Sequence, residues 1–199
     1  MNRRALLLAF ALALPPLVTL SGRAPFTVAP AGATVSALVS MDELVAASTY
    51  VVIATAGERY GVWEDLPSGK RIVTYTKLSV ERAVLGAPSR EIWVRTLGGV
   101  VDNLGQSVAG EARLPTGSRA LVFLAQVNGA VVVTGMAQGH YPIVADDKGV
   151  ARLASSPEPG MLVPRRGPTL SAHEQLVGAT VEEGAALVVR ARKARDESK

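Results

Sequence analysis

The chain has 199 residues, a formal net charge of +4 at pH 7 and no cysteine. The absence of cysteine excludes disulfide bonds, so stability must come from a buried apolar core. The basic residues form no concentrated face, which argues against a nucleic acid partner.

The N-terminus has the pattern of a secretory signal peptide. Arg3-Arg4 precedes an apolar run over residues 5–20, and Ala31-Gly32-Ala33 provides an A-x-A cleavage site. Similar sites on either side place the cleavage somewhere between residues 31 and 37. We therefore predict that residues 1–33 form a signal peptide and that the mature protein is periplasmic or secreted.

Removal of this leader leaves 166 residues (199 − 33), which is enough for one domain with a core. The formal charge falls from +4 to +1, because Arg3, Arg4 and Arg23 are lost. An uncleaved membrane anchor is the alternative. However, a spanning helix needs about 20 apolar residues, and this run is shorter and contains Pro15-Pro16. We expect no membrane contact after cleavage.

A short helix is predicted at the start of the mature chain. Ser40 and Glu43 form a capping box, with the serine as N-cap and the glutamate three residues further on. The helix should cover residues 41–48, with Leu44 and Val45 facing the core. It would act as a lid on the strands that follow.

A β-domain is predicted over residues 38–154. Its first strand, residues 50–54, is an apolar run rich in β-branched residues, which is typical of a strand buried on both sides. The glycines and the proline of residues 58–70 predict a hairpin loop.

The strand over residues 72–85 indicates which face is buried. Ile72 and Leu78 share one parity and Lys77 has the other, which predicts one apolar face and one face toward water. The alternation is lost at Arg82-Ala83, which predicts a bulge where the strand bends.

The third strand covers residues 91–97. Its apolar residues share the inward parity, which leaves Trp93 and Arg95 on the outer face. Gly98-Gly99 ends the strand, and the glycine-rich residues 100–116 predict a long ordered loop.

Two further apolar strands, residues 120–125 and 130–136, flank Asn128-Gly129, which is the strongest short-range hairpin signal. Residues 141–145 and 150–153 flank a second turn. A total of about seven strands predicts a mainly β domain, either a small closed barrel or a sandwich.

The last part of the chain changes from strands to helices. Four prolines predict a linker over residues 155–170. Capping boxes that begin at Ser171 and Thr180 then predict one or two C-terminal helices within residues 171–199.

No catalytic centre is recognisable in the sequence. Neither His140 nor His173 lies in a metal-ligand spacing, and we predict no metal, no cofactor and no enzymatic activity. His140 could pair with a serine for acyl transfer, but no G-x-S-x-G or S-x-x-K motif frames a nucleophile. We expect instead that Gln138 and His140 satisfy backbone groups at the end of the barrel, and a hydrolase built around His140 is the enzymatic alternative.

Several motifs resemble an uncharacterised family of exported bacterial β-domains. They are DELVAASTYVVIATA, RIVTYTKLSVERAVLG, VRTLGG, GSRALVFLA and GMAQGHYPIV, within residues 41–145. Their order is also distantly similar to the netrin and tissue-inhibitor-of-metalloprotease barrels, which implies an OB-like fold. The matching positions are Val80, Val84, Leu85, Gly86, Gly117, Leu121 and Phe123. Those inhibitors chelate the protease zinc through an N-terminal cysteine, and because this chain has no cysteine that mechanism is excluded.

Together these patterns predict an exported, non-catalytic binding module whose partner is another exported protein. The resemblance suggests a partner or inhibitor of a secreted peptidase, and a structural or assembly accessory protein of the bacterial cell envelope is the alternative. An indole beside a guanidinium on an outer strand face is a pairing enriched at binding hot spots, and the loop that follows the strand should lie next to it. The candidate binding residues are Trp93, Arg95, Asp102, Asn103, Gln138 and His140.

Overall fold

The computed structural model describes residues 35–164 and 169–198, and the signal peptide predicted for residues 1–33 lies outside the described residues. The described part contains eleven strands and three α-helices and is mainly β, as predicted. The strands are β1 (Val35–Ala37), β2 (Tyr50–Leu66), β3 (Gly69–Leu85), β4 (Glu91–Leu97), β5 (Gly99–Val101), β6 (Leu104–Gln106), β7 (Arg119–Val127), β8 (Ala130–Val133), β9 (His140–Ala145), β10 (Ala151–Leu153) and β11 (Met161–Val163). The helices are α1 (Met41–Ala47), α2 (Ala172–Leu176) and α3 (Val181–Glu197). None of these helices is long and apolar enough to cross a membrane.

All three predicted capping boxes are confirmed. In each, the N-cap hydroxyl accepts a hydrogen bond from the N3 backbone N–H, and the N3 glutamate accepts one from the N-cap backbone N–H. At α1, for example, the Glu43 N–H donates to the Ser40 hydroxyl at 3.2 Å and the Ser40 N–H donates to the Glu43 carboxylate at 2.9 Å. Both predicted C-terminal helices are present. At the N-terminus of each, the capping box provides hydrogen-bond acceptors for backbone N–H groups that have no partner within the helix.

Seven of the described strands form one sheet in the order β10-β9-β7-β2-β3-β4-β8. Neighbours are antiparallel except β4 and β8, which are parallel. Strand β8 also pairs with β7, to which Asn128-Gly129 joins it. Both turn residues have positive φ, 49° and 79°, as a tight hairpin with right-handed strand twist requires. This hairpin prediction is confirmed.

The core has two parts, one on each face of β2 and β7. Val51 and Ile53 point to the side covered by the helices. Val52 and Ala54 point to the opposite side, where they pack with buried side chains of β3 and β4. The helix core consists of Met41, Leu44, Val45, Val51, Ile53, Leu121, Phe123, Tyr141, Leu153, Ala172, Leu176, Val181 and Val188. The strand core consists of Val52, Ala54, Ala56, Leu78, Ile92, Val94, Ala112, Leu114, Ala120, Val122, Leu124 and Val133. Burial on both faces explains the continuous apolar runs of β2 and β7.

The predicted alternation of β3 and β4 is also confirmed. Ile72 and Leu78 are buried and Lys77 is half-buried, while Val94 lies inside and Trp93 outside. Between β2 and β3 the register shifts on both sides of the Arg82-Ala83 step, where the alternation of the sequence was lost. At a β-bulge of this kind one strand has an extra residue, which bends that strand and increases its twist.

The hairpin loop predicted for residues 58–70 is wrong. Strand β2 continues to Leu66, and a two-residue turn at Pro67-Ser68 leads directly into β3. This half of β2 pairs only with β3 among the described strands. Its side chains reach solvent on both faces, and a strand without a buried face has no apolar alternation to reveal it.

Three other segments differ from prediction. The loop predicted for residues 100–116 includes the β5–β6 hairpin. The strand predicted over residues 130–136 ends at Val133, because the chain turns through left-handed φ at Gly135 and Met136 (65° and 58°) into a short 3₁₀ helix. The proline-rich segment contains β11, which pairs with β1 in parallel. Pairing between segments so distant in sequence leaves no local signal.

Candidate functional site

An exposed cluster of three aromatic rings lies on the outer face of β2, β3 and β4. We name Tyr60, Tyr75 and Trp93 the aromatic patch. Tyr60 stacks on Tyr75 with ring centroids 5.5 Å apart, and it meets Trp93 edge to face at 5.3 Å. The residues Tyr60 and Trp93 remain 48% and 38% exposed. The patch is therefore an ordered apolar surface that is open to solvent.

The strand register brings these rings together. Tyr60 lies directly opposite Tyr75 on β3, and Trp93 lies opposite Lys77, two residues further along the same face of β3. Side chains that are directly or diagonally opposite on one sheet face lie within contact distance. The patch thus results from the pairing of three strands, each of which contributes one ring.

Charged side chains hold the rings in place. The Lys77 ammonium lies 5.5 Å from the centroid of the Trp93 ring and 3.3 Å from the Glu58 carboxylate. These distances are typical of a cation–π contact and of an ion pair. Lys77 is thereby fixed over one side of the indole.

A second ion pair lies on the other side of the patch. Arg95 Nη1 is 3.3 Å from Glu64 Oε2, and the Tyr75 hydroxyl donates to Glu64 Oε1 at 2.6 Å. The pKa of Tyr75 is raised, chiefly because its hydroxyl donates to the Glu64 carboxylate. Tyr75 is therefore protonated at neutral pH, and the carboxylate holds both the ring and the guanidinium.

The hairpin with Asp102 and Asn103 lies on the opposite face of the sheet from Trp93 and Arg95. These two residues form the β5–β6 turn, and Asp102 has a φ of 51°. A Cβ added at Gly99 would lie 2.0 Å from the Thr74 hydroxyl, and Thr74 belongs to the buried parity of β3. The structure therefore separates residues that the sequence suggested would lie close together.

Between this hairpin and the sheet is a cavity of about 540 Å³. Its sheet side carries the hydroxyls of Thr74, Thr76 and Thr96, and Arg59 and Arg113 also line it. Arg113 is engaged by Glu158 and by Ser107 at 3.4 Å. The cavity therefore combines polar groups, several of which already have partners within the protein, with apolar side chains such as Val108 and Leu114.

Glu111 is the acidic residue of this cavity. Its carboxylate accepts hydrogen bonds from the backbone N–H of Leu97 at 3.1 Å and of Ala112 at 3.0 Å. Burial raises the pKa of Glu111, and the two N–H donors together with the charge of Arg95 oppose that rise. The carboxylate thus ties the segment after β6 to the end of β4.

Gln138 contacts backbone groups, as expected from the sequence. Its amide oxygen accepts from the Val39 N–H at 2.9 Å, and its amide nitrogen donates to the Ala37 carbonyl at 3.1 Å. The side chain thus fixes the segment between β1 and α1 against the 3₁₀ turn that carries Gln138.

The expectation that His140 also satisfies backbone groups is wrong. Its Nδ1 lies 2.9 Å from the Ser156 hydroxyl, and its Nε2 has no partner among the described residues. His140 is 1% and Ser156 4% exposed, so neither is open to a substrate. Burial lowers the pKa of His140 to about 4, and the ring is therefore neutral at pH 7. Among the described residues, no group of three or more His, Cys, Asp or Glu could hold a metal ion.

Sequence reasoning missed Tyr60, Glu64 and Tyr75 as members of the site. Tyr75 has the same parity as Lys77 and could have been found on that signal. Tyr60 and Glu64 were hidden in the predicted loop of residues 58–70. Ser156 falls in the predicted linker, and no pattern indicated its pairing with His140.

Comparison with known proteins gives no relative from which to read this site. No family model matches the chain, and no curated protein matches it significantly. The resemblance to exported β-domains and to netrin-type barrels therefore depends on the sequence motifs alone.

Proposed function

We propose that the chain is an exported, non-catalytic module that binds another exported protein through the aromatic patch. The observation that carries this proposal is the exposure of Tyr60 and Trp93 in a fixed edge-to-face contact. Aromatic residues are enriched at interface hot spots, because they bury a large area and lose little conformational freedom.

The charged residues around the patch support the same function. Arg95 and Lys77 are already held by Glu64 and Glu58 at 3.3 Å each. A partner therefore meets an ordered surface and pays little additional side-chain entropy on binding. An apolar centre with a polar rim is the usual arrangement of protein–protein interfaces, and we infer a partner with a complementary apolar side chain at its centre.

The strand connections support an OB-like barrel as the fold behind this face. Strand β8 pairs with both β4 and β7, and the pairings β7-β2-β3-β4-β8-β7 return to their starting strand. Counted along the chain, the five strands of this ring are β2, β3, β4, β7 and β8, so β3 and β4 are its second and third strands. OB-folds bind their ligands on the face of strands 2 and 3, which is where Tyr75 and Trp93 lie.

Export is part of the proposal. Strand β1 pairs with β11 from Val35 onward, which favours cleavage after Ala33 over cleavage after Ala37, since the later cut would remove the strand. N-terminal sequencing of the protein recovered outside the cytoplasm should return a start before Val35. Recovery of intact Met1 would contradict export with cleavage and favour an uncleaved anchor.

The binding proposal is tested by measuring affinity with matched variants. A partner captured by cross-linking in the periplasm or culture fluid is first purified. Trp93→Ala and Arg95→Ala should then each weaken its binding by about 1–3 kcal/mol in calorimetry.

Arg119→Ala is the control for Arg95→Ala. Arg119 is also paired with a glutamate on a strand surface, 2.7 Å from Glu81, but it lies outside the patch, so its removal should leave the affinity unchanged. Equal losses in the two arginine variants, or no loss in Trp93→Ala, would refute the aromatic patch as the binding site.

A further inference from the structure

We propose that the protein forms a two-fold symmetric dimer in which residues 59–65 of β2 pair antiparallel with the same residues of a second copy. This inference goes beyond the proposed function, because it rests on the free edge of β2 and not on the exposed rings, although Tyr60 of the aromatic patch belongs to the same strand. It is carried by a free strand edge whose side chains are complementary to themselves in one register.

The outer half of β2 is an open edge. Strand β2 pairs with β7 only over residues 50–55, and from residue 59 to residue 66 β3 is its only partner among the described strands. The last register shift lies between Ala56 and Arg59, so this half is regular. It also contains no proline. A long regular edge without a bulge or a proline is a template for pairing with another strand.

The direction of the backbone groups can be read from Ile72. Its N–H donates to the Gln106 side chain at 2.8 Å, and its carbonyl accepts from the Gly98 N–H at 2.7 Å. Both groups of Ile72 therefore point away from β2. Trp63 lies opposite Ile72. In an antiparallel pair, two opposite residues either both point their backbone N–H and C=O groups at each other or both point them away. The backbone groups of Trp63 therefore point away from β3, toward the open edge. Every second residue of β2 shares that direction, and these are Arg59, Gly61, Trp63 and Asp65.

One self-pairing register uses all four of these residues. When Val62 lies opposite Val62 of the second copy, Arg59 faces Asp65 and Gly61 faces Trp63. By symmetry each contact occurs twice. Neither Arg59 nor Asp65 takes part in an ion pair within the described residues. The dimer would thus pair two free cations with two free anions, and opposite charges in directly opposed positions stabilise a sheet.

The same register covers exposed apolar side chains. Gly61 lies under β5, where an added Cβ would meet the Val100 carbonyl oxygen at 2.3 Å. Trp63 of the second copy, opposite Gly61, therefore comes next to Val100. Trp63, Val100 and the neighbouring Leu104 are 41%, 65% and 61% exposed. Covering them from water favours association.

Neighbouring registers lose these contacts. A shift by two residues in one direction places Arg59 opposite Trp63, and a shift in the other direction places Arg59 opposite Pro67. Either shift shortens the ladder and separates Arg59 from Asp65. The charges therefore select a second copy in one register over slipped forms.

Charge reversal and rescue test the dimer. Sedimentation velocity of the purified protein over a range of concentrations should show a monomer–dimer equilibrium. In the Asp65→Arg variant an arginine faces an arginine at each end of the paired segment. This repulsion should weaken dimerisation about tenfold or more. The double variant Arg59→Asp/Asp65→Arg restores opposite charges and should recover it. Asp147→Arg, the same charge reversal at an exposed position in the turn between β9 and β10, is the control and should dimerise like wild type.

A cysteine cross-link tests the register. Val62 and its copy form a non-hydrogen-bonded pair, with Cα atoms about 4.5 Å apart, within the range of a disulfide. Since the chain has no other cysteine, Val62→Cys should oxidise to a covalent dimer, while Val144→Cys on β9, 49% exposed in the native residue, should not. A wild-type monomer at all concentrations, an Asp65→Arg variant that dimerises normally, or equal cross-linking of both cysteine variants would overturn the proposal.

Discussion

Strands β3 and β4 present two faces that are ordered by different means. On one face Leu78 and Val94 are fully buried in the strand core. On the other face Lys77 and Trp93, one residue away from each, contact one another and remain partly open to solvent. The first face is ordered because it excludes water, and the second because its side chains hold one another in water. Substitutions should therefore affect folding on the first face and recognition on the second.

The largest expected effect tests this difference at neighbouring positions. Leu78→Asp places a carboxyl group without a partner in the strand core, which costs several kcal/mol and approaches the whole stability of a small domain. Lys77→Asp removes one partly exposed ion pair and one cation–π contact and should cost about 1 kcal/mol. Chemical denaturation of both variants measures the difference, and similar losses would refute the alternation of faces.

The helix core should respond like the strand core. Leu176 of α2 is 0% exposed, whereas Leu170, just before that helix, is 57% exposed. Leu176→Ala should lower the free energy of unfolding by about 2–5 kcal/mol, as large-to-small changes in cores do. Leu170→Ala should change it by about 0.5 kcal/mol or less. If Leu176→Ala unfolds at the same denaturant concentration as wild type, α2 does not contribute to the core.

His140 makes the buried side sensitive to acid. Its pKa is lowered from 6.5 to about 4 by burial, so the unfolded chain takes up the proton first as pH falls below 6.5. Stability from this group is complete above pH 6.5 and is lost between pH 6.5 and 4, by about 3 kcal/mol in total. Urea unfolding at several pH values measures this slope.

His140→Ala is the control for that slope. The variant loses the contact with Ser156, a net hydrogen bond worth about 1 kcal/mol at neutral pH, and it should lose the pH dependence between 6.5 and 4. If the variant keeps the slope of the wild type, the acid sensitivity arises from other groups.

The sequence was sufficient to predict those elements that depend on interactions between residues close together in the chain. The N-caps Ser40, Ser171 and Thr180 and the Asn128-Gly129 turn were all predictable, since each satisfies or shapes backbone within four residues. The parity of β3 was predictable because one of its faces is buried.

The candidate site was only half predictable, because it depends on register between strands. Trp93 and Arg95 were found from the parity of β4. Tyr60 was not, since its segment has no buried face and was predicted as a loop. The ion pair of Arg95 with Glu64 and the pairing of His140 with Ser156 join segments that no local pattern connects.

The small effect expected for Trp93→Ala is the most informative for the comparison of the two faces. Two aromatic pairs have nearly the same geometry: Phe123 and Tyr141 lie 6.1 Å apart at 67°, and Tyr60 and Trp93 lie 5.3 Å apart at 63°. Phe123 is 0% and Trp93 38% exposed. If burial and not ring contact determines stability, Phe123→Ala should cost about 3–5 kcal/mol and Trp93→Ala only about 1 kcal/mol. Thermal melts of the two variants measure this. A large loss for Trp93→Ala would make the aromatic patch a structural cluster and remove the reason to regard it as a binding surface.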